Sequence, residues 1–273
     1  MKRHGISNAL CEHPFMSQAL QNAEPLIERG YYEYKDYVKS TGKRLRDFRK
    51  DTPHSLLPCE RYLMNVFQGT SLITNTVDQM TNCQLFLHRF PSPRTYHKEK
   101  IGHCTWIEYH FGYYVILLVS LYDMALILTN TVFCLGNKEQ NCKPDIIKSN
   151  DHLRGTSTKA SLNELDKFVK PYRQVRNLHV HRGHSPDVPE ILQSENLETL
   201  MMASKLSIIS SSQSVSPQDL DLLFWTNTYD IMNHLSNDLE QLQSILSTLF
   251  DSLLPEYKKH TLMLHSKDGS NPS

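Results

Sequence analysis

The sequence predicts an all-α fold: a bundle of long helices with an additional, mostly helical N-terminal region. Three observations carry this. Apolar residues recur every three or four positions over long stretches, few segments alternate with the two-residue period of a strand, and capping residues, prolines and glycines mark starts and stops. Hydrophobic residues at 39% with only ten glycines suit an ordered globule.

Taken in order, residues 1–100 form a mixed region punctuated by Pro14, Pro25, Pro53, Pro58, Pro91 and Pro93, of unassigned role. Residues 14–39 predict one or two short helices, and 60–89 a longer one with Leu63, Val66, Phe67 and Thr70 at helical spacing. The segment FPSPRTYHKEK (90–100) reads as a loop. Residues 103–135 predict one long helix, stopped by Gly136. Ser161 with Glu164 has the form of a capping box, opening a helix that ends at Gly183, with a kink or restart expected at Lys170 because Pro171 follows. Ser216 and Pro217 open a last helix, whose apolar residues, Tyr229 among them, run from Leu222 to Leu254. The expected division is 1–100, a bundle over 101–260, and a frayed tail over 261–273.

Composition excludes several classes. Lysines and arginines balance aspartates and glutamates at 29 each, so no global field draws the chain to a polyanion, and any such site must be local. The six cysteines, at 11, 59, 83, 104, 134 and 142, include no CxxC pair and read as thiols in a reducing, cytoplasmic setting. The N-terminus lacks the apolar core of a secretory signal. Residues 113–136 are long enough to span a bilayer. Yet they contain Asp123 and have no basic flank, so the central helix of a bundle, apolar nearly all round, explains them better than a membrane partner.

The chemistry concentrates in RNLHVHRG, residues 176–183. Helical spacing puts Arg173, Arg176, Asn177 and His181 on one stripe, with Arg176 and His181 flanking Asn177. Two permanent cations, an amide and an imidazole together fit recognition of a phosphate or carboxylate. His179 falls on the opposite side as a bystander; Arg182, between the groups, joins the supporting set without an assigned role. The plainer reading is an arginine-rich last turn that favours the helix dipole. A zinc site would need His179, His181 and His184, but no further ligand lies nearby and Arg182 opposes a cation, so no metal or other cofactor is expected.

RNLHVH, at the end of a helix in an all-helical chain, resembles the R-X4-6-H signature of HEPN domains, and its HRG ending resembles their Cthe2314-like branch. The resemblance covers roughly residues 103–254. It implies a HEPN-like bundle with a long, kinked motif helix, paired as a homodimer so that two motifs line one shared cleft. It further implies a metal-independent endoribonuclease, or a non-catalytic relative that binds RNA, nucleotide or a protein. Carried over by position, Arg176 and His181 are the catalytic pair and Asn177 the polar neighbour of the arginine. The chemistry agrees: a histidine titrating near neutrality can move the 2′-hydroxyl proton, and a guanidinium can hold the charge growing on phosphate. A toxin or defence effector, with an antitoxin or regulatory protein as partner, is the setting the resemblance implies.

Two features outside the motif complete the reading. Asp123 is the sole charged residue between Glu108 and Lys138, so its carboxylate predicts a cation partner in Arg176 or Arg173, with Glu108 as the next candidate for a polar site. KRLRDFRK at 43–50 could track an RNA backbone, although such a run is more often a solvated helix face. Tyr31, Tyr32, Tyr34 and Tyr37 could stack on bases but at helical spacing fit packing better.

Overall fold

The computed structural model describes the backbone of residues 6–51, 56–88, 103–182 and 217–267, and the side chains of 9–48, 56–88, 106–181 and 228–264. The described chain is an all-α bundle: α1 (Ile6–Cys11), α2 (Pro14–Thr41), α3 (Leu45–Asp51), α4 (Pro58–His88), α5 (His103–Val132), α6 (Pro144–Ser149), α7 (Ser157–Arg182) and α8 (Pro217–Lys267). Two short 3-10 turns flank α6. The 90–100 segment, Ser216 as a cap and the end of the tail lie outside the described residues.

Several boundaries differ from the expected ones. Residues 14–41 form a single helix that carries Pro25 inside it. His13 opens it, its Nδ1 accepting from the Phe15 N–H at 3.2 Å, and Gly42 closes it at φ 67°. The last helix does not stop at Leu254 but continues through Pro255 to Lys267. Tyr257, two residues past that proline, is fully buried against Phe15 and Tyr62, so packing outweighs the lost backbone hydrogen bond. The long apolar helix ends at Val132 rather than 135 because Asn130 binds the turn beyond it. Its Nδ2 donates to the Asn137 carbonyl at 3.0 Å and its Oδ1 accepts from the Asn137 N–H at 3.1 Å.

The chain divides into two compact units, each taking parts of α4, α5, α7 and α8. Unit 1 comprises Met1–Thr74, Met124–Leu162 and Leu246–Ser273. Its centre is aromatic: Phe15 packs on Phe250 and Tyr257, and Tyr62 stacks on Tyr257. Polar groups there are tied off locally. Tyr62 Oη donates to the Val132 carbonyl at 3.2 Å, and Thr70 and Thr129 each donate to a carbonyl one turn back.

Unit 2 comprises Asn75–Asp123 and Asn163–Ile245 and holds the candidate motif. Its core is built by Val77, Met80, Phe111, Tyr114, Leu118 and Leu121 with Leu165, Val169, Leu235 and Leu239. The stretch Trp106–Val132 is long and apolar enough to cross a membrane, but most of it is buried inside the protein. It is not apolar all round. Tyr109, Tyr113, Ile116, Ser120 and Asp123, spaced by three or four, form a strip that is exposed or half-exposed. Asp123 is thus an edge residue rather than a buried one. Tyr229, expected on the packing face of α8, is 64% exposed, with Thr228 and Ile231 taking the buried positions.

Candidate functional site

The motif helix begins four residues before the expected cap. Thr156 Oγ1 accepts from the Lys159 N–H at 3.3 Å, and Ser161 lies inside the helix, its hydroxyl donating to the Ser157 carbonyl at 3.2 Å. The helix runs unbroken through Pro171 to Arg182, so no restart occurs at Lys170. Leu165, Val169 and Tyr172 bury one face and anchor it. Tyr172 is the last fully buried side chain described on this helix; beyond it every described position is half-buried or exposed. The last turns of α7 therefore emerge at the surface, which is where RNLHVH stands.

The expected stripe separates into occupied and open groups. Arg173 is occupied: its Nη2 lies 2.5 Å from Asp166 Oδ1, two turns back on the same face, and its guanidinium sits 4.9 Å from the centre of the Tyr122 ring. Arg176 is half-buried, and its Nε is buried without a hydrogen-bond partner among the described residues. Asp123 on α5 stands in the field of both arginines. Partial desolvation pushes its carboxyl pKa above the ordinary value, while Arg176 and, less strongly, Arg173 pull it down. Its carboxylate and the Arg176 guanidinium thus share one electrostatic neighbourhood. Asn177 and His181 are exposed; the side chain of Arg182 lies outside the described residues.

His179 is no bystander. A methyl group built on Gly112 of α5 would come within 2.4 Å of His179 Nε2 and 3.0 Å of two ring carbons. The imidazole therefore occupies the space that any larger residue at 112 would claim, two positions from His181. Tyr122 opposite Arg173 and Gly112 opposite His179 show that α5 and α7 run antiparallel here. His181, two residues on, is exposed; helical spacing alone holds no information on which side a neighbouring helix occupies.

Sequence reasoning also missed a polar cluster beneath the motif. Tyr172 Oη donates to Asp238 Oδ2 on α8 and lies 2.6 Å from His234 Nε2. The phenol has one proton, which goes to Asp238, so His234 must present its Nε2–H to the phenol oxygen. His234 and Asp238 are one turn apart, with 3.6 Å between Nε2 and Oδ2. The signal was present in the sequence as a histidine and an aspartate four apart on a leucine-rich helix, both on the packing side. Nearby, the Tyr114 hydroxyl is fully buried with no hydrogen-bond partner among the described residues. Burial, then the charge of Asp238, holds its pKa well above the ordinary value. Among the described residues no group of three His, Cys, Asp or Glu is placed to hold a metal ion, and His184 lies outside them.

An all-α bundle whose motif helix surfaces at an arginine–histidine pair is the architecture of a HEPN domain. The family comparison agrees: the profile of the Cthe2314-like HEPN family matches residues 69–253, well over half of the chain, and the chain belongs to that family. Neither the curated proteins nor the solved structures contain a match. Membership points to nuclease or RNA-related chemistry. The match excludes α1, α2 and α3.

Proposed function

We propose that the protein is a metal-independent endoribonuclease that acts as a homodimer, with His181 moving protons and Arg176 holding the phosphate. The observation that supports this best is the contrast within the motif. His181 and Asn177 are exposed, whereas the Arg176 stem is embedded, with Asp123 nearby and its Nε committed to no described partner. A phosphate beside Arg176 would find a guanidinium already desolvated on one side, where its charge acts more strongly than in water.

In the proposed reaction an RNA 2′-hydroxyl attacks the adjacent phosphorus. His181 of one copy takes the hydroxyl proton, and the second copy's histidine gives a proton to the departing 5′-oxygen. Arg176 neutralises charge on the non-bridging oxygens, and Asn177 orients them by hydrogen bonding. The products are a 2′,3′-cyclic phosphate and a free 5′-hydroxyl. A toxic or defence role, restrained by a partner protein, is the biological setting that this activity would serve.

The test is product chemistry. Purified protein is incubated with end-labelled RNA in excess EDTA. Cleavage that leaves 2′,3′-cyclic phosphate ends, and that stops when the scissile nucleotide is 2′-deoxy, is the expected result. RNA that is bound but never cut would leave a non-catalytic HEPN module in place of the enzyme.

A further inference from the structure

The N-terminal region carries a surface that the motif does not use. Beyond Ala23 no described residue of α2 is buried, so its second half, through Thr41, is not held by a core. The helix is instead held by an ion pair to α4, Arg29 Nη1 to Glu60 Oε1 at 2.8 Å, and by ring packing against α3. Phe48 is buried with its ring 5.4 Å from that of Tyr34 and 5.2 Å from that of Tyr37. These two tyrosines pack, as their spacing implied; Tyr31 and Tyr32 do not.

Tyr31 is 60% and Tyr32 57% exposed, their rings 5.6 Å apart, with Lys35 Nζ 5.9 Å from the Tyr32 ring centre. Residues 31, 35 and 39 are successive i+4 neighbours, so Lys35 and Lys39 continue this flank. It leads to the turn where Lys43, Arg44 and Arg46 are all exposed. Glu33 and Asp36 sit about 140–200° around the helix from Tyr31, but Asp36 is the i+4 neighbour of Tyr32 and borders the surface there, as Glu28 does at its inner end. In a chain whose formal charges cancel, two mostly exposed aromatic rings followed by five cations are a local concentration of groups that stack on bases and bind phosphates.

We infer that the α2–α3 hairpin is a single-strand RNA-binding surface, with Tyr31 and Tyr32 stacking on bases and the cations from Lys35 to Arg46 following the backbone. This rests on the ribonuclease reading for the choice of RNA as the polyanion. It extends that reading to a region outside the family match, and assigns the N-terminal addition a substrate-holding role.

Binding is measured by anisotropy of a labelled mixed-sequence 20-nucleotide RNA, using the full chain with His181→Ala so that nothing is cut. Joint replacement of Lys39, Lys43, Arg44 and Arg46 by Gln should weaken binding about tenfold or more and flatten the log–log salt slope by roughly 3. Tyr31→Ala with Tyr32→Ala should weaken it about five- to tenfold with the slope unchanged. Helix content by circular dichroism should stay at the parent value in both. Unchanged affinity in either set, or no RNA binding by the parent at 50 mM salt, overturns the inference. In the cleavage-competent chain, the Gln set should raise KM for long RNA but leave dinucleotide cleavage intact. Failure of the nuclease reading would instead show as no cleavage of either substrate, so the two failures are distinguishable.

Discussion

The two compact units differ in how completely their described buried polar atoms are paired. In unit 1 Thr70, Thr129, Asn130 and Tyr62 are paired by carbonyls, and Tyr257, which accepts from Asn22, and His13, which faces Asp251, are paired across helices. In unit 2, buried polar atoms are linked across helices or left without a described partner: the Tyr172–His234–Asp238 cluster, His110 Nε2, Tyr114 Oη and Arg176 Nε. Unsatisfied or titratable groups cost stability, so a fold keeps them where they serve something other than stability. Unit 2 is the one that holds the motif. The contrast teaches that, among the described residues, the unpaired buried atoms lie in the unit that carries the motif, and that unit 1 is the more fully paired of the two.

A matched pair of substitutions would break or sharpen that contrast most. Tyr172→Phe leaves the buried Asp238 carboxylate short of a donor and should cost about 2–3 kcal/mol in denaturant unfolding; Tyr62→Phe, which gives up one bond to a carbonyl, should cost about 1 kcal/mol. Equal losses would erase the distinction between the two interiors.

Next in size is Gly112→Ala. The added methyl meets His179 and should destabilise the fold by about 1–2 kcal/mol. His179→Ala in the same chain should recover most of that loss, because the clash disappears with the ring. No recovery in the melting midpoint would mean that the backbone, rather than the imidazole, is what Gly112 accommodates.

Smaller effects concern titration. His110 lies among Phe86, Trp106 and Tyr109, and burial holds its pKa below the ordinary value. The unfolded chain then binds more protons than the folded one, so stability is complete above about pH 6.5 and falls as pH drops toward the depressed folded pKa. His110→Phe should therefore flatten the acidic limb of a stability–pH profile and add up to about 1 kcal/mol. Finally, Arg176 lowers the Asp123 pKa, so Arg176→Gln should move that carboxyl further up, as read by its NMR titration. An unchanged titration would place Asp123 outside the arginine's field.

The helical bundle was legible because periodicity reports directly on which faces are buried, and the apolar run 113–136 and the leucine-rich α8 carry that signal strongly. Helix ends were less so. The last helix was expected to reach only Leu254, but Tyr257 buries enough surface to carry the chain on through Pro255, and burial between distant segments is absent from a local reading. At the site, the motif residues and the closeness of Asp123 to the arginines were accessible from spacing and charge. What spacing lacked was the neighbour: Asp166 occupying Arg173, Gly112 making room for His179, and α8 supplying His234 and Asp238. Each depends on a helix arriving from elsewhere in the chain.

The central claim is that the exposed end of α7 performs chemistry rather than only closing a helix. The most direct test compares RNA cleavage in EDTA by the parent chain, His181→Ala and Arg176→Ala, with unfolding midpoint and oligomeric state measured alongside. Because His181 is exposed, its replacement should leave the fold and assembly unchanged while lowering the cleavage rate by about 10²–10⁴-fold. A His181→Ala protein that cuts RNA at the parent rate would contradict the account.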